Sequence, residues 1–331
     1  MFGKIVFYCF KVSLLTVCFA AIAWYFFLPK NQEDYSYISP LPEFLTLAKN
    51  KQVTLLDFWF PFIQKTQASE FDASTITAKS VLMYDLTSNR TLFERDSTTR
   101  RPMASLTKIM TAIISLENRP SQNRYVVHQD NLVGEDSMGL TSGEVLTLED
   151  LLYGLMLPSG NDAAEVLASN SPLGRQGFIK AMNDKAKSLG LTDTMFSNPS
   201  GLQGDGVQYT TTADLLVITR YALDNFPLFA HIVSTPEHDI IQTTNHKAYH
   251  LVNETNLLTT YGGVRGVKTG YTPEAGLCLV TYIDYGGHKI MGIILASENR
   301  RGEMKDLLDY SLHSQGIEPP EYRPDEGIVQ W

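Results

Sequence analysis

The sequence predicts an α+β fold: an antiparallel sheet flanked by helices, interrupted by an inserted, mainly helical lobe and preceded by one transmembrane helix. Three observations predict it. Short apolar, β-rich runs stand at the front of the globular part and again near its end, so the two ends share one sheet. Between them, from about residue 117 to 230, apolar residues recur mostly at helical spacing. Ahead of both lies one long apolar run, residues 12–28.

At helical rise those seventeen residues span about 25 Å, and adding residues 5–10 gives a comfortable crossing. Lys4 and Lys11 on the leading side put the N-terminus in the cytoplasm, and Trp24 and Tyr25 suit the opposite interface. Ala21-Ile22-Ala23 resembles a signal-peptide cleavage site, but the apolar run continues to Leu28 without a polar break. Residues 1–29 are therefore expected to be a membrane anchor, with a signal peptide as the alternative. Either way the bulk of the chain is expected outside the cytoplasm. Residues 30–74 form a membrane-proximal linker that includes the aromatic cluster Phe58-Trp59-Phe60-Pro61-Phe62.

The folded domain is expected over residues 75–315, with a polar tail at 316–331. Residues 80–84 read as a buried strand, 85–90 as a turn and 91–94 as a returning strand. Leu106, Ile109, Met110, Ile113 and Ile114 then mark a mostly buried helix whose first turn holds Ser105. Further helices are expected from about 146 to 157, 162 to 168, 178 to 189 and 211 to 223. Short strands return at 240–243, 263–268, 278–283 and 289–296, and a last helix spans about 303–312.

Composition narrows the function. The chain has 331 residues, 44% hydrophobic and 19% charged, with net charge −9. That balance argues against nucleic acid, because no Lys/Arg-rich face alternates with aromatics. Cys9 and Cys18 lie in the apolar N-terminus, leaving Cys278 as a core thiol in an apolar strand. His246 and His250 have metal-ligand spacing on a helix, but their surroundings look extended and nothing else converges, so no metal site is expected.

Three short motifs carry the chemistry: Ser105 three residues before Lys108, then Ser159-Gly160-Asn161, then Lys268-Thr269-Gly270. On a helix, i and i+3 share a face, so the hydroxyl and amine fall within hydrogen-bonding range. A neutral lysine there can take the proton of a serine nucleophile. A serine at a helix start is also what an N-cap demands, so Ser105 alone leaves both readings open. Roughly one Ser-x-x-Lys match is expected by chance in a chain this long; three motifs in this order are far rarer.

With those motifs the chain resembles the serine D-alanyl-D-alanine carboxypeptidases, the low-molecular-mass penicillin-binding proteins. The likeness extends through Asn198-Pro199-Ser200-Gly201-Leu202, Thr211-Thr212-Ala213-Asp214 and Gly266-Val267-Lys268-Thr269-Gly270-Tyr271-Thr272. It implies a β-lactamase/transpeptidase-like fold on the outer face of a bacterial membrane. It also implies the substrate, peptidoglycan stem peptides, and inhibition by β-lactams, with no cofactor. In that reading Ser105 is the nucleophile, Lys108 its base and Ser159 a proton relay. Asn161 fixes Lys108 and the substrate amide, while Lys268 and Thr269 hold the terminal carboxylate. The backbone N–H groups of Ser105 and Tyr271 form the oxyanion hole, and Gly270 lets the acyl chain approach the strand.

Two positions depart from the family pattern. Gln208 stands where a histidine is common and is expected to alter the rim. Arg265 stands where an acid is common and is expected to add positive field beside the carboxylate site. A cross-link endopeptidase would use the same residues. A β-lactamase fits less well, because no convincing deacylating Glu-x-x-x-Asn follows the second motif. An inactive wall-binding protein would not require the motifs intact.

Overall fold

The computed structural model describes residues 72–324. The expected anchor at 1–29 and nearly all of the linker lie outside these residues. Among the described residues no helix is long and apolar enough to cross a membrane. Strands β1 (Ser80–Asp85), β2 (Arg90–Arg95), β7 (Val264–Thr272), β8 (Gly276–Tyr285) and β9 (His288–Ser297) form one sheet in the order β2-β1-β9-β8-β7. Every pairing is antiparallel. β1 pairs with β9, Ser80 opposite Leu295 through Asp85 opposite Ile290, so residues some two hundred positions apart close the sheet.

Alternation along the strands assigns each side chain to one of two cores. Leu82 and Tyr84 of β1 and Met291, Ile293 and Leu295 of β9 pack with the helical lobe. Val81, Met83, Ile290 and Ile294 pack on the other face, with Met304, Leu307, Leu308 and Leu312 of the last helix, Arg300–His313. Covered on both sides, β1 is buried at every position, which is why it reads as a continuous apolar run rather than an alternating one. Cys278 of β8 is fully buried, and burial pushes its thiol up to about 11, as a core role requires.

The lobe inserted between β2 and β7 centres on α1 (Thr107–Glu117), in which every residue but Glu117 is buried. Around it stand α2 (Leu148–Met156), α3 (Asn161–Ser169), α4 (Gly174–Ser188), α5 (Thr212–Asn225) and α6 (Pro227–Val233). A short α7 (Leu257–Thr260) and the C-terminal α8 (Arg300–His313) complete the helices of the described residues. α2 opens on a reciprocal cap: Thr147 Oγ1 accepts from Asp150 N, and the Asp150 carboxylate accepts from Thr147 N.

The structure corrects several expectations. Residues 118–147 are not helical; they carry only a two-residue ribbon, β3 (Tyr125–Val126) with β4 (Val145–Leu146), and a single 3₁₀ turn. Pro120 and glycines 134, 139 and 143 break helical continuity there. The strand expected at 240–243 lies at Glu237–Ile240 (β5), paired with β6 (Tyr249–Val252). Ile241 is 81% exposed, so apolarity misplaced the boundary. α4 starts four residues before Phe178 because its polar first turn has no apolar signal. His250 sits in β6 with its ring bonded to Asp239, in the extended surroundings expected of it.

One anchor of the sheet is testable. The buried Glu303 carboxylate, on α8, accepts from the backbone N–H of Thr77 (2.9 Å) and of Ala78 (3.0 Å), and also from the Thr77 hydroxyl. Glu303→Ala strands those donors. Chemical denaturation is expected to show a loss of about 3 kcal/mol, whereas a change under about 0.5 would show that water replaces the carboxylate.

Candidate active site

Ser105 lies one step earlier than expected, in a 3₁₀ turn (Ala104–Leu106) that runs directly into α1. In so tight a turn i and i+3 nearly eclipse, and Lys108 Nζ reaches Ser105 Oγ at 2.8 Å. Ala104 carries a left-handed backbone (φ 48°), a conformation that costs about 1–2 kcal/mol and must be held from outside. Two glycines allow the clamp. A Cβ on Gly201 (φ 90°) would sit 2.1 Å from Ala104 O, and one on Gly270 would sit 3.1 Å from Ser105 N. Gly270 therefore admits the protein's own serine turn against β7.

Lys108 is 0% exposed, and Nζ has three partners: Ser105 Oγ, Asn161 Oδ1 at 2.7 Å and Ser200 O at 2.8 Å. The last two can only accept, so they claim two N–H bonds whatever the protonation state. Once the amine is neutral, its lone pair is left facing Ser105 Oγ, whose hydroxyl can donate to it. Burial pulls the Lys108 pKa well down from its ordinary value, and the charge of Lys268 pulls it further; Asp136, Glu254 and Asp162 oppose them. This direction suits a base.

The second motif forms the corner between α2 and α3. Ser159 is buried with φ 62°, and the turn is held by Gly160 N donating to Gly154 O and Asn161 N to Asp136 O, both 2.9 Å. Asn161 is the first residue of α3, so its side chain projects toward Lys108. Next to it the buried Asp162 carboxylate accepts from the backbone N–H of Met138, Leu140 and Ala163, which ties the 137–140 loop to this corner.

The third motif runs along β7, an edge strand of the sheet, so every other backbone N–H on its outer side is left without a sheet partner. Lys268 is 1% exposed and pushed down to about 8, chiefly by burial and then by Arg300, against Glu254 and Asp136. Thr269 Oγ1 donates to Glu254 Oε2 at 3.1 Å. The Tyr271 side chain is 58% exposed at the rim.

All three motifs thus converge on the Ser105 turn, through Lys108 and its partners and through the packing of Gly270. The family model for D-alanyl-D-alanine carboxypeptidases matches residues 64–299. The chain belongs to that family. It is 30% identical to the D-alanyl-D-alanine carboxypeptidase DacF of Bacillus subtilis, over 76% of this chain and 66% of that one. It is 33% identical to a D-alanyl-D-alanine carboxypeptidase of Streptomyces sp. strain K15, over 75% and 91%. The Streptomyces K15 DD-transpeptidase crystal structure superposes with a TM-score of 0.67 at 31% identity, over 76% of this chain and 100% of that chain. Penicillin-binding protein D2 of Listeria monocytogenes, in its ampicillin-bound form, superposes at 0.62 with 29% identity, over 71% and 97%.

Against this family background the roles of five residues of the site escape motif reading. Ser200 contributes a carbonyl to Lys108, and Thr111 Oγ1 donates to Pro199 O at 2.6 Å, so the loop at 198–202 holds α1 in place. The turn chemistry of this loop is visible in the sequence, but the partner of its carbonyls is not. Arg300, the first residue of α8, donates to Gly270 O at 3.0 Å and lends its charge to the Lys268 end of the site. Glu254 and Asp136 supply the opposing anions; no periodicity or spacing marks them. Arg265 is exposed, and its charge acts on Tyr282. Gln208 Nε2 donates to Leu202 O at 2.9 Å, in the loop that leaves the clamp.

Proposed function

We propose that this chain removes the terminal D-alanine of peptidoglycan stem peptides by way of an acyl-enzyme on Ser105. The supporting observation is the Lys108 amine, whose two acceptor partners leave its lone pair facing the Ser105 hydroxyl. Ser105 Oγ attacks the carbonyl of the penultimate D-alanine as its proton passes to Lys108. The backbone N–H groups of Ser105 and Tyr271 receive the developing oxyanion. The C–N bond breaks, the leaving amine takes a proton relayed through Ser159, and water then releases the acyl group. Lys268 and Thr269 hold the substrate's terminal carboxylate, with Arg300 adding charge, and Asn161 orients Lys108 and the substrate amide. A β-lactam presents an amide and a carboxylate in the same relation, so it acylates Ser105 too. We further propose that residues 1–29 hold the catalytic domain on the extracytoplasmic side of a bacterial cell membrane, as the apolar run and its leading lysines suggest.

Intact-mass analysis of the protein after benzylpenicillin, and after a peptide ending in D-Ala-D-Ala, tests this reading. A stable penicillin adduct with release of D-alanine is expected. Rapid turnover of penicillin would point to a β-lactamase, and no adduct at all to an inactive binding protein. Parallel assays on a pentapeptide and on cross-linked muropeptides separate carboxypeptidase from endopeptidase.

The second-order rate constant for acylation reports groups of the free enzyme and is expected to be bell-shaped in pH. It rises as Lys108 loses its proton, below the usual lysine range, and falls above about pH 8 as Lys268 loses its own. A rate still climbing at pH 9.5 would remove Lys268 from the carboxylate site.

A further inference from the structure

The hydroxyl assigned above to the substrate's carboxylate already has a carboxylate on it. Thr269 Oγ1 donates to Glu254 Oε2 at 3.1 Å. The charge of Glu254 also favours the protonated forms of Lys108, Lys268 and Arg300, so it is felt by every cation of the cleft named above. Its backbone is pinned in the segment between β6 and α7. Glu254 N donates to Leu157 O, Asn253 Nδ2 donates to Thr235 O, and Thr255 N donates to Asn253 Oδ1. Leu157 is two residues from Ser159, so the segment joins the wall of the second motif to the strand of the third. The side chain itself is only half-buried and can turn away without moving this backbone.

We propose that Glu254 is an internal counter-carboxylate: it occupies the Thr269 hydroxyl in the empty site, and the substrate's terminal carboxylate must displace it. Two carboxylates cannot share one hydroxyl donor, and side by side they repel. Glu254 thereby sets the selectivity of this end of the site, weakening the hold on a carboxylate without affecting a neutral terminus. The inference rests on the carboxylate-binding reading of Lys268 and Thr269.

Glu254→Gln keeps the shape and an acceptor for Thr269 but removes the charge; Glu254→Ala also frees the hydroxyl. Near pH 6.5, where Lys268 is charged, both variants are compared with wild type on a D-Ala-D-Ala peptide and on its C-terminal amide. Glu254→Gln is expected to lower KM for the acid by about fivefold to tenfold and to change it less than about twofold for the amide, while any change in kcat, which acts through the Lys108 base, is common to both substrates. Glu254→Ala should do at least as much. The same contrast is read from acylation by benzylpenicillin against its methyl ester, which needs no peptide turnover. If wild type is acylated but hydrolyses neither peptide, the hydrolase reading fails while the penicillin pair still decides the role of Glu254. An unchanged or raised KM for the acid, equal shifts for acid and amide, or no acylation of wild type by either penicillin overturns the proposal.

Discussion

Ser105→Ala is expected to keep its unmodified mass in benzylpenicillin, while wild type gains one penicillin equivalent. Peptide hydrolysis should fall by a factor on the order of 10⁴ or more, since no other group stands where the acyl bond forms. The fold should hold. The substitution deletes one hydrogen bond, worth about 1 kcal/mol, and Lys108 keeps Asn161 Oδ1 and Ser200 O as partners. The strained Ala104 backbone is held by packing against Gly201 and Gly270, which the substitution leaves intact. Thermal melting should therefore resemble wild type. An adduct that persists on Ser105→Ala, mapped to Ser159 or any other residue, would transfer the nucleophile's role away from Ser105.

Lys108→Met should lower acylation by about 10³-fold with the fold retained. Methionine is preferred to alanine because Lys108 is wholly buried, and a similar volume avoids confounding lost chemistry with a cavity. Lys108→Arg should not rescue, because guanidinium stays charged and cannot accept the Ser105 proton. Stability gives a second readout. The folded pKa of Lys108 is depressed, so between that value and the unfolded pKa the native state binds fewer protons than the unfolded state. Wild-type stability from this group thus rises with pH and is at its worst below the folded pKa, where a charge is buried. Lys108→Met lacks that term, and its stability relative to wild type should be greatest on the acid side. Normal acylation by Lys108→Met, or a stability difference that grows toward alkaline pH, would refute the assigned base.

Much of the site is local in the chain and was legible for that reason. Ser105 and Lys108 are three residues apart, so one helical turn dictates their meeting. Ser159 and Asn161 flank one corner, and Lys268 to Tyr271 follow one strand. Boundaries were less legible wherever side-chain pattern and backbone bonding disagree. Ile241 looks like a strand residue yet is exposed, and residues 118–147 take their shape from loop contacts such as the Asp162 carboxylate. The left-handed Ala104 could not be seen at all, since alanine ordinarily avoids that conformation.

By itself the sequence determined the two-ended sheet, the buried helix carrying the serine and lysine, and the residue types a serine acyl-transfer site needs. These follow from periodicity and from distances along one turn or one strand. Only the tertiary structure decided which charges surround those residues. Arg300 donates to Gly270 O and Glu254 accepts from Thr269 Oγ1, although no motif marks either residue. The physical reason is that a charge acts across space, between groups the fold brings together from distant segments, and chain spacing carries no record of that distance.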